Sequence, residues 1–214
     1  IGRLGYAIYL APYGANGKPL QVQGFLGAFA RVARRNAARL HALAEQGVPL
    51  VGLDPAMTLV YRQEYPKALG AEACPEVALP QEWLARVLPE RPDWAGDGSQ
   101  CYQLLGHCTE KTNAPAASAL WGELFRRCGL GLEQPASGCC GMAGTYGHER
   151  RNLETSRAIY RLSWAARVRQ QGGAGRLLAS GYSCRSQVER LDQQALAHPL
   201  QALLAQLRRF QTEQ

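Results

Sequence analysis

Two adjacent cysteines, Cys139 and Cys140, lie in the stretch SGCCGMAGTYGHE, in which every third residue from 138 to 147 is a glycine. Cys108 and Cys184 each follow another segment that reads as a strand. Four thiolates suit a soft acceptor, either an iron–sulfur cluster or tetrahedral zinc. From the residues alone, a strained vicinal disulfide and a peroxide-sensing thiol pair remain alternatives.

The glycines give the backbone room beside these thiols. A residue without a Cβ adopts positive φ easily and lets the chain wrap closely around a bulky inorganic core. Its N–H group can then point at sulfur and tune a reduction potential. We therefore expect Gly138, Gly141 and Gly181 to lie next to the ligands. His107 could itself be a ligand, but a supporting position beside the site is the preferred prediction.

The chain has seven cysteines, an odd number in a sequence of this size. No charged-then-apolar leader opens it, so we expect a reducing, cytoplasmic compartment, where clustered cysteines indicate metal or redox chemistry rather than a disulfide framework. The remaining cysteines, Cys74, Cys101 and Cys128, are predicted to be small buried apolar residues.

The bulk composition is that of a soluble globular protein. The 214 residues are 46% hydrophobic and 19% charged, and no apolar run approaches the length of a membrane span. The chain opens on IGRLGYAIYLA without an initiator Met. We therefore expect a piece of a longer polypeptide.

The net charge of +7 comes largely from arginines spread along helical stretches. Aromatic residues are not interleaved with them, as a stacking platform for nucleic acid would require. A solvated helix face, or a docking face for an acidic partner, is the preferred interpretation, and no nucleic-acid partner is expected.

Strands and helices alternate along the chain, which predicts an α/β fold with parallel strands. Helices are indicated by apolar residues on one face, and Asp54 followed by Pro55 marks a helix start. Strands are predicted at 5–12, 48–53, 101–107, 130–134 and 176–184, and helices at 24–47, 54–66, 79–88, 117–129, 146–171, 184–196 and 198–211.

The second half of the chain repeats the pattern of the first. We predict two pseudo-symmetric α/β halves, each a small parallel sheet flanked by helices: residues 1–97, without cysteine ligands, and residues 98–214, with the cysteine site. Met57 of the first half falls opposite Cys184. Ligands of such folds bind at the carboxyl ends of the strands, where the loops carrying the four cysteines should meet.

The residues GCCGMAG, with one cysteine upstream and another past the next strand, resemble the cysteine-rich CCG domain family. That family includes a heterodisulfide reductase component and the iron–sulfur components of glycolate oxidase and anaerobic glycerol-3-phosphate dehydrogenase. Two departures stand out. Gly181 occupies the place of the first cysteine in the family's final C-x-x-C, and Met57 occupies a cysteine place in PAMTLVYRQEYP.

The strings YLAPYGANGKPLQVQGF, LLGHCTEKT and GYSCRSQVERL resemble the C-terminal region of large FAD-linked oxidases that act on D-2-hydroxy acids such as D-lactate or D-2-hydroxyglutarate. The resemblance implies a parent chain that also carries a flavin domain and a ferredoxin-like iron–sulfur segment. It implies that this region transfers electrons through a [4Fe–4S] cluster bound by Cys108, Cys139, Cys140 and Cys184.

FAD and the catalytic flavin site are expected in the rest of the parent chain, because no G-x-G-x-x-G follows a strand here. The alternatives are a structural zinc site on the same cysteines and a metal-free scaffold or docking module. The expected location is the cytoplasm, including attachment to the inner face of the membrane through partners.

Overall fold

The computed structural model describes residues 1–171 and 175–212. Four helices precede the first strand: α1 (Lys18–Val22), α2 (Leu26–Ala44), α3 (Pro55–Leu69) and α4 (Pro80–Val87). The rest of the chain contributes β1 (Cys101–Leu105), α5 (Cys108–Asn113), α6 (Pro115–Arg127), β2 (Gly131–Glu133), α7 (Leu153–Ser163), α8 (Ala165–Gln171), β3 (Leu177–Ala179), α9 (Tyr182–Asp192) and α10 (Pro199–Thr212).

The three strands form one parallel sheet in the order β2-β1-β3. Cys101 of β1 pairs with Gly131 of β2, and Leu105 of β1 pairs with Ala179 of β3. The fold is therefore α/β with a small parallel sheet flanked by helices, as predicted. Because all three strands run in one direction, the loops that follow them leave the sheet at a single edge.

Both faces of the sheet are covered, because successive side chains of a strand point to opposite faces. Leu104 belongs to a core with residues of α4, α6 and α10, whereas Leu105 belongs to a core with residues of α7, α8 and α9. The second core also contains Cys140 and Cys184. The loops that carry these two cysteines therefore pack against the core formed with α7, α8 and α9.

The first half contains much less β-structure than its sequence predicts. Residues 5–12 form neither helix nor strand, and Ile8 and Leu10 are exposed. Alternating apolar residues make a strand only where another strand is available for pairing. The strand predicted at 48–53 is reduced to a single parallel bridge between Val51 and Ala78.

The helices of the first half follow the sequence closely. Asp54 caps α3, and its side chain accepts hydrogen bonds from the N–H groups of Ala56 and Met57. α3 packs against α2 through a core that contains Phe29 and Tyr65. Met57, which falls opposite Cys184 in the predicted repeat, is 43% exposed.

The helix predicted at 146–171 is interrupted. It begins with two 3-10 turns, Tyr146–His148 and Arg150–Asn152, and is then divided into α7 and α8 at Trp164. The fully buried Trp164 indole N–H donates to the carbonyl of Gly138 at 3.0 Å. The break thus places a tryptophan under the loop that carries the paired cysteines.

In the described part of the chain, no helix combines the length and the apolar composition needed to cross a membrane.

Candidate metal centre

The loop after β1 delivers Cys108 as the first residue of a short helix, where the sequence predicted a loop. His107 is the N-cap of α5, and its Nδ1 accepts from the N–H of Thr109 at 3.2 Å. The backbone N–H of His107 donates to Ser180 Oγ at 3.0 Å. His107 is buried, and its backbone N–H ties the residue before Cys108 to the loop after β3.

The loop after β2 carries Cys139 and Cys140 and is tied down from two sides. The N–H of Gly138 donates to Ser163 Oγ at 3.1 Å, in addition to the bond from Trp164 to its carbonyl. Lys111 of α5 donates to the carbonyl and the hydroxyl of Ser137. Gly138 therefore anchors the cysteine loop, and its N–H group does not point at a thiol.

The four predicted ligands lie near one another. The thiol of Cys139 lies near those of Cys108 and Cys140, and the thiol of Cys140 lies near that of Cys184, close enough for each pair to interact electrostatically. Cys140 and Cys184 are 2% and 1% exposed, whereas Cys108 and Cys139 are half-buried. We refer to these four residues as the cysteine cluster.

The thiols of the cysteine cluster shift one another's acidity. The neighbouring thiols of Cys108 and Cys140, and to a smaller extent the N–H of Gly141, lower the pKa of Cys139. The proximity of Cys139 raises the pKa of Cys108, and the proximity of Cys139 and Cys184 raises the pKa of Cys140. The neighbouring groups therefore favour the ionised form of Cys139 over those of Cys108 and Cys140.

Gly141 has a backbone conformation and a close neighbour that leave no room for a side chain. Its φ is +87°, and a Cβ would lie 2.2 Å from the carbonyl oxygen of Ser156. Its N–H donates to Cys139 Sγ at 3.3 Å, while its own carbonyl accepts from Ser156 Oγ at 2.8 Å. This is the close backbone approach to sulfur predicted from the glycine pattern.

Gly181 is equally constrained, but by a side chain. A Cβ at this position would lie 2.2 Å from His107 Cδ2 and 3.2 Å from Cys184 Sγ. The imidazole ring therefore occupies the space that a larger residue at 181 would need. A cysteine at this position would displace His107.

A buried carboxylate below the cluster was not found from the sequence. Glu110 is fully buried and accepts from Gln81 Nε2 at 2.6 Å, Trp121 Nε1 at 3.1 Å and Ser180 Oγ at 2.6 Å. Burial raises its pKa, and these hydrogen bonds oppose that effect. Since Ser180 also bonds His107, the network locks the loops after β1 and β3 together. In the sequence, the glutamate of CTEKT lies in a predicted loop and carries no local signal of burial.

The other three cysteines lie outside the cluster. Cys128 is fully buried beside α6, as predicted, whereas Cys74 is half-buried and its thiol donates to the carbonyl of Gly70 at 3.3 Å. Cys101 is exposed at the start of β1, so the prediction that it is buried was wrong. All seven are free thiols.

The donor set fits a soft metal or an iron–sulfur cluster. Four sulfurs come from the ends of three parallel strands, and a glycine amide already donates to one of them. Within residues 1–171 and 175–212, no three His, Cys, Asp or Glu side chains are arranged as a preformed cage around a single ion. The thiols lie near one another, and metal binding would require them to lose their protons.

The chain is similar to parts of larger dehydrogenases. It is 60% identical over 202 residues to D-2-hydroxyglutarate dehydrogenase from Pseudomonas putida, covering 94% of this chain and 20% of that protein. It is 47% identical over 205 residues to D-2-hydroxyglutarate dehydrogenase from Escherichia coli, covering 95% and 20%. With one of the subunits of anaerobic glycerol-3-phosphate dehydrogenase from E. coli it shares 30% identity over 201 residues, covering 89% and 48%.

No family model and no solved structure matches the chain. The chain spans about a fifth of the length of the curated D-2-hydroxyglutarate dehydrogenases it matches, and about half of the matched glycerol-3-phosphate dehydrogenase polypeptide.

Proposed function

We propose that this chain is an iron–sulfur region, of the CCG type, within a larger FAD-linked dehydrogenase of D-2-hydroxy acids. Cys108, Cys139, Cys140 and Cys184 would bind a [4Fe–4S] cluster. The observation that carries the proposal is that the loops after three parallel strands bring these four thiols near one another. The similarity to D-2-hydroxyglutarate dehydrogenases supports the substrate class.

When bound, such a cluster supplies one-electron transfer. The residues of this chain hold and tune it. Cys139 and Cys140 offer two adjacent sulfurs whose side chains leave the backbone in different directions. The N–H of Gly141 donates to Cys139 Sγ, and hydrogen bonds to cluster sulfurs are a recognised means of setting a reduction potential. The apolar core around Cys140 and Cys184 excludes water from one side.

The other parts of the proposed parent chain are its partners. FAD and the hydroxy acid would bind in a flavin domain, and a ferredoxin-like segment would share the electron path. The basic helix faces of this chain suit docking to acidic surfaces of those domains.

Anaerobic reconstitution with iron and sulfide tests the assignment. We expect a broad visible absorption that dithionite bleaches and an EPR signal on reduction. Changing Cys139 or Cys184 to Ser should remove at least most of both signals, because a hydroxyl is a poor ligand for this cluster. Cys101→Ser is the matched control, since Cys101 is exposed and lies outside the cysteine cluster.

Equal absorption in the Cys139→Ser, Cys184→Ser and Cys101→Ser proteins would refute the ligand set. Structural zinc is the second candidate, because four thiolates also complete a tetrahedral zinc site. Zinc without sulfide in the anaerobically purified protein would favour it. A protein that is stable and metal-free after anaerobic purification would favour a scaffold.

A further inference from the structure

Asp54 of the first half forms hydrogen bonds with two helices at once. Its Oδ1 accepts from the N–H groups of Ala56 at 3.0 Å and Met57 at 3.2 Å, which caps α3. Its Oδ2 accepts from the backbone N–H of Tyr182 at 2.7 Å. Tyr182 is the first residue of α9, the helix that carries Cys184 in its first turn.

The bond to Tyr182 satisfies an amide that α9 cannot satisfy itself. The first N–H groups of a helix have no partner within the helix. The N-cap of α9 is Gly181, which has no side chain to accept them. Asp54 supplies the missing acceptor from 128 residues away in the sequence.

The start of α9 has little freedom to move without affecting the cysteine cluster. The Cβ position of Gly181 lies 2.2 Å from His107 Cδ2 and 3.2 Å from Cys184 Sγ. Arg185 reaches back to the carbonyls of Ala179 and Ser180 at 2.9 and 3.1 Å. The first turn of α9 is thus held by β3 on one side and by Asp54 on the other.

The electrostatics agree with this geometry. Burial lowers the pKa of the Arg185 guanidinium, and the negative charge of Asp54 opposes that shift. A carboxylate at position 54 therefore stabilises the charged guanidinium of Arg185, which donates to the carbonyls of Ala179 and Ser180. Asparagine or serine at this position would not provide that charge.

We propose that Asp54 is a positioning residue of the cysteine cluster, which fixes the first turn of α9 and thereby the thiol of Cys184. The half of the chain without cysteine ligands then takes part in building the site. The inference depends on the proposed function only where it treats Cys184 as a ligand, because the placement of its thiol can be measured without any metal.

Two substitutions separate the bond to α9 from the cap of α3. In Asp54→Asn, the amide oxygen can still cap α3, but an N–H2 group faces the N–H of Tyr182. In Asp54→Ser, the hydroxyl also caps a helix well but is too short to reach Tyr182. Both variants should therefore retain α3 and lose the contact with α9.

The experiment measures the alkylation rate of each cysteine by iodoacetamide, peptide by peptide, in the metal-free form of the complete natural polypeptide. We expect Cys184 to react about tenfold faster in both variants, because losing a charge-assisted hydrogen bond shifts a local opening equilibrium by about that factor. The fully buried Cys128 should react at the parental rate.

Asp97→Asn is the matched control. It removes the same charge from a turn in which Asp97 accepts from the N–H of Ser99 at 2.9 Å, and it should leave the rate at Cys184 unchanged. Parental rates at Cys184 in both Asp54 variants would overturn the proposal. So would a parallel rise at Cys184 and Cys128, since that would report a general loss of stability.

A second measurement uses the reconstituted protein. The Asp54→Asn variant should lose its visible absorption in air several-fold faster than the Asp97→Asn control. If Cys184→Ser binds as much cluster as the parent, the proposed function fails, whereas the alkylation result still decides the role of Asp54. If the visible absorption of the Asp54→Asn and Asp97→Asn proteins decays at the same rate, Asp54 does not position a ligand of the iron–sulfur cluster.

Discussion

Gly181 occupies the place of a cysteine in the pattern of the cysteine-rich family that the sequence resembles, and the ring of His107 fills the space beside this glycine. His107 also caps α5 through its side chain and bonds Ser180 through its backbone. Four thiols with a closely packed histidine are therefore a self-consistent arrangement, as the proposed four-thiolate site requires.

We predict that Gly181→Ala destabilises the metal-free protein by about 1–3 kcal/mol, because the new methyl group overlaps the His107 ring and the packing must adjust. Urea unfolding at neutral pH measures the effect. Gly27→Ala is the control: Gly27 lies in α2 with open space around its Cβ position, so alanine should be neutral or slightly stabilising.

A Gly181→Ala protein as stable as the parent would show that the ring is free to move. The double variant His107→Asn, Gly181→Ala should regain part of the loss, because asparagine is smaller and can still cap α5.

At the scale of elements, the start of α10 carries a histidine that resists protonation. His198 Nδ1 accepts from the N–H of Leu200 at 3.2 Å, and the ring packs edge-on against Trp121. Burial lowers the pKa of His198 from 6.5 to about 4; the positive charge of Arg185 adds to this effect and Asp54 opposes it. The native protein therefore binds fewer protons at this site than the unfolded chain between those two values.

It follows that stability should fall as the pH drops from about 6.5 to about 4, by up to about 3 kcal/mol from this residue. His198→Asn keeps a capping acceptor but does not titrate, so its unfolding free energy should fall less over this window. Chemical denaturation at a series of pH values makes the comparison. The exposed His148→Asn control should retain the full fall, and an equally steep fall in His198→Asn would contradict the assignment.

Helices were the elements that the sequence predicted best, since apolar periodicity and a capping aspartate are local signals. The bounds of α2, α3, α4 and α6 agree with the predicted helices to within a few residues. The strands of the first half were predicted poorly, because a strand forms only where another strand can pair with it. Residues 5–12 have none in the described structure, and Val51 pairs only with Ala78.

The grouping of the four cysteines was predictable, because parallel strands bring their following loops to one edge of the sheet. The supports of the site were not predictable. Glu110 and Asp54 act on residues 70 and 128 positions away, Ser180 and Tyr182. An acidic side chain carries no local signal of such a partner, so these contacts emerge only once the chain is folded.

At the scale of the whole molecule, the two predicted halves share packed surfaces. Leu59 of α3 lies in a small buried cluster with Leu79, Ala114 and Ala117. α4 packs on α6 within a larger core. The division at residues 97 and 98 stays a prediction, but stability of the second half should depend on the first.

Leu59→Ala tests that dependence. Leu59 is 1% exposed, and removing its side chain should cost about 2–5 kcal/mol. This buried apolar cluster joins α3 to α6. We therefore expect a single unfolding transition with a shifted midpoint when circular dichroism and tryptophan fluorescence are both followed. Leu162→Ala, at a position 84% exposed, should leave the midpoint nearly unchanged. Separate transitions for the two probes would indicate halves that unfold independently.

Metal and sulfide analysis of the complete natural polypeptide, purified without oxygen, tests the central claim most directly. Its iron and acid-labile sulfide should both exceed those of the Cys139→Ser variant by one cluster's content, and Cys101→Ser should match the parent. Zinc in place of iron, or iron and sulfide unchanged by Cys139→Ser, would contradict the account.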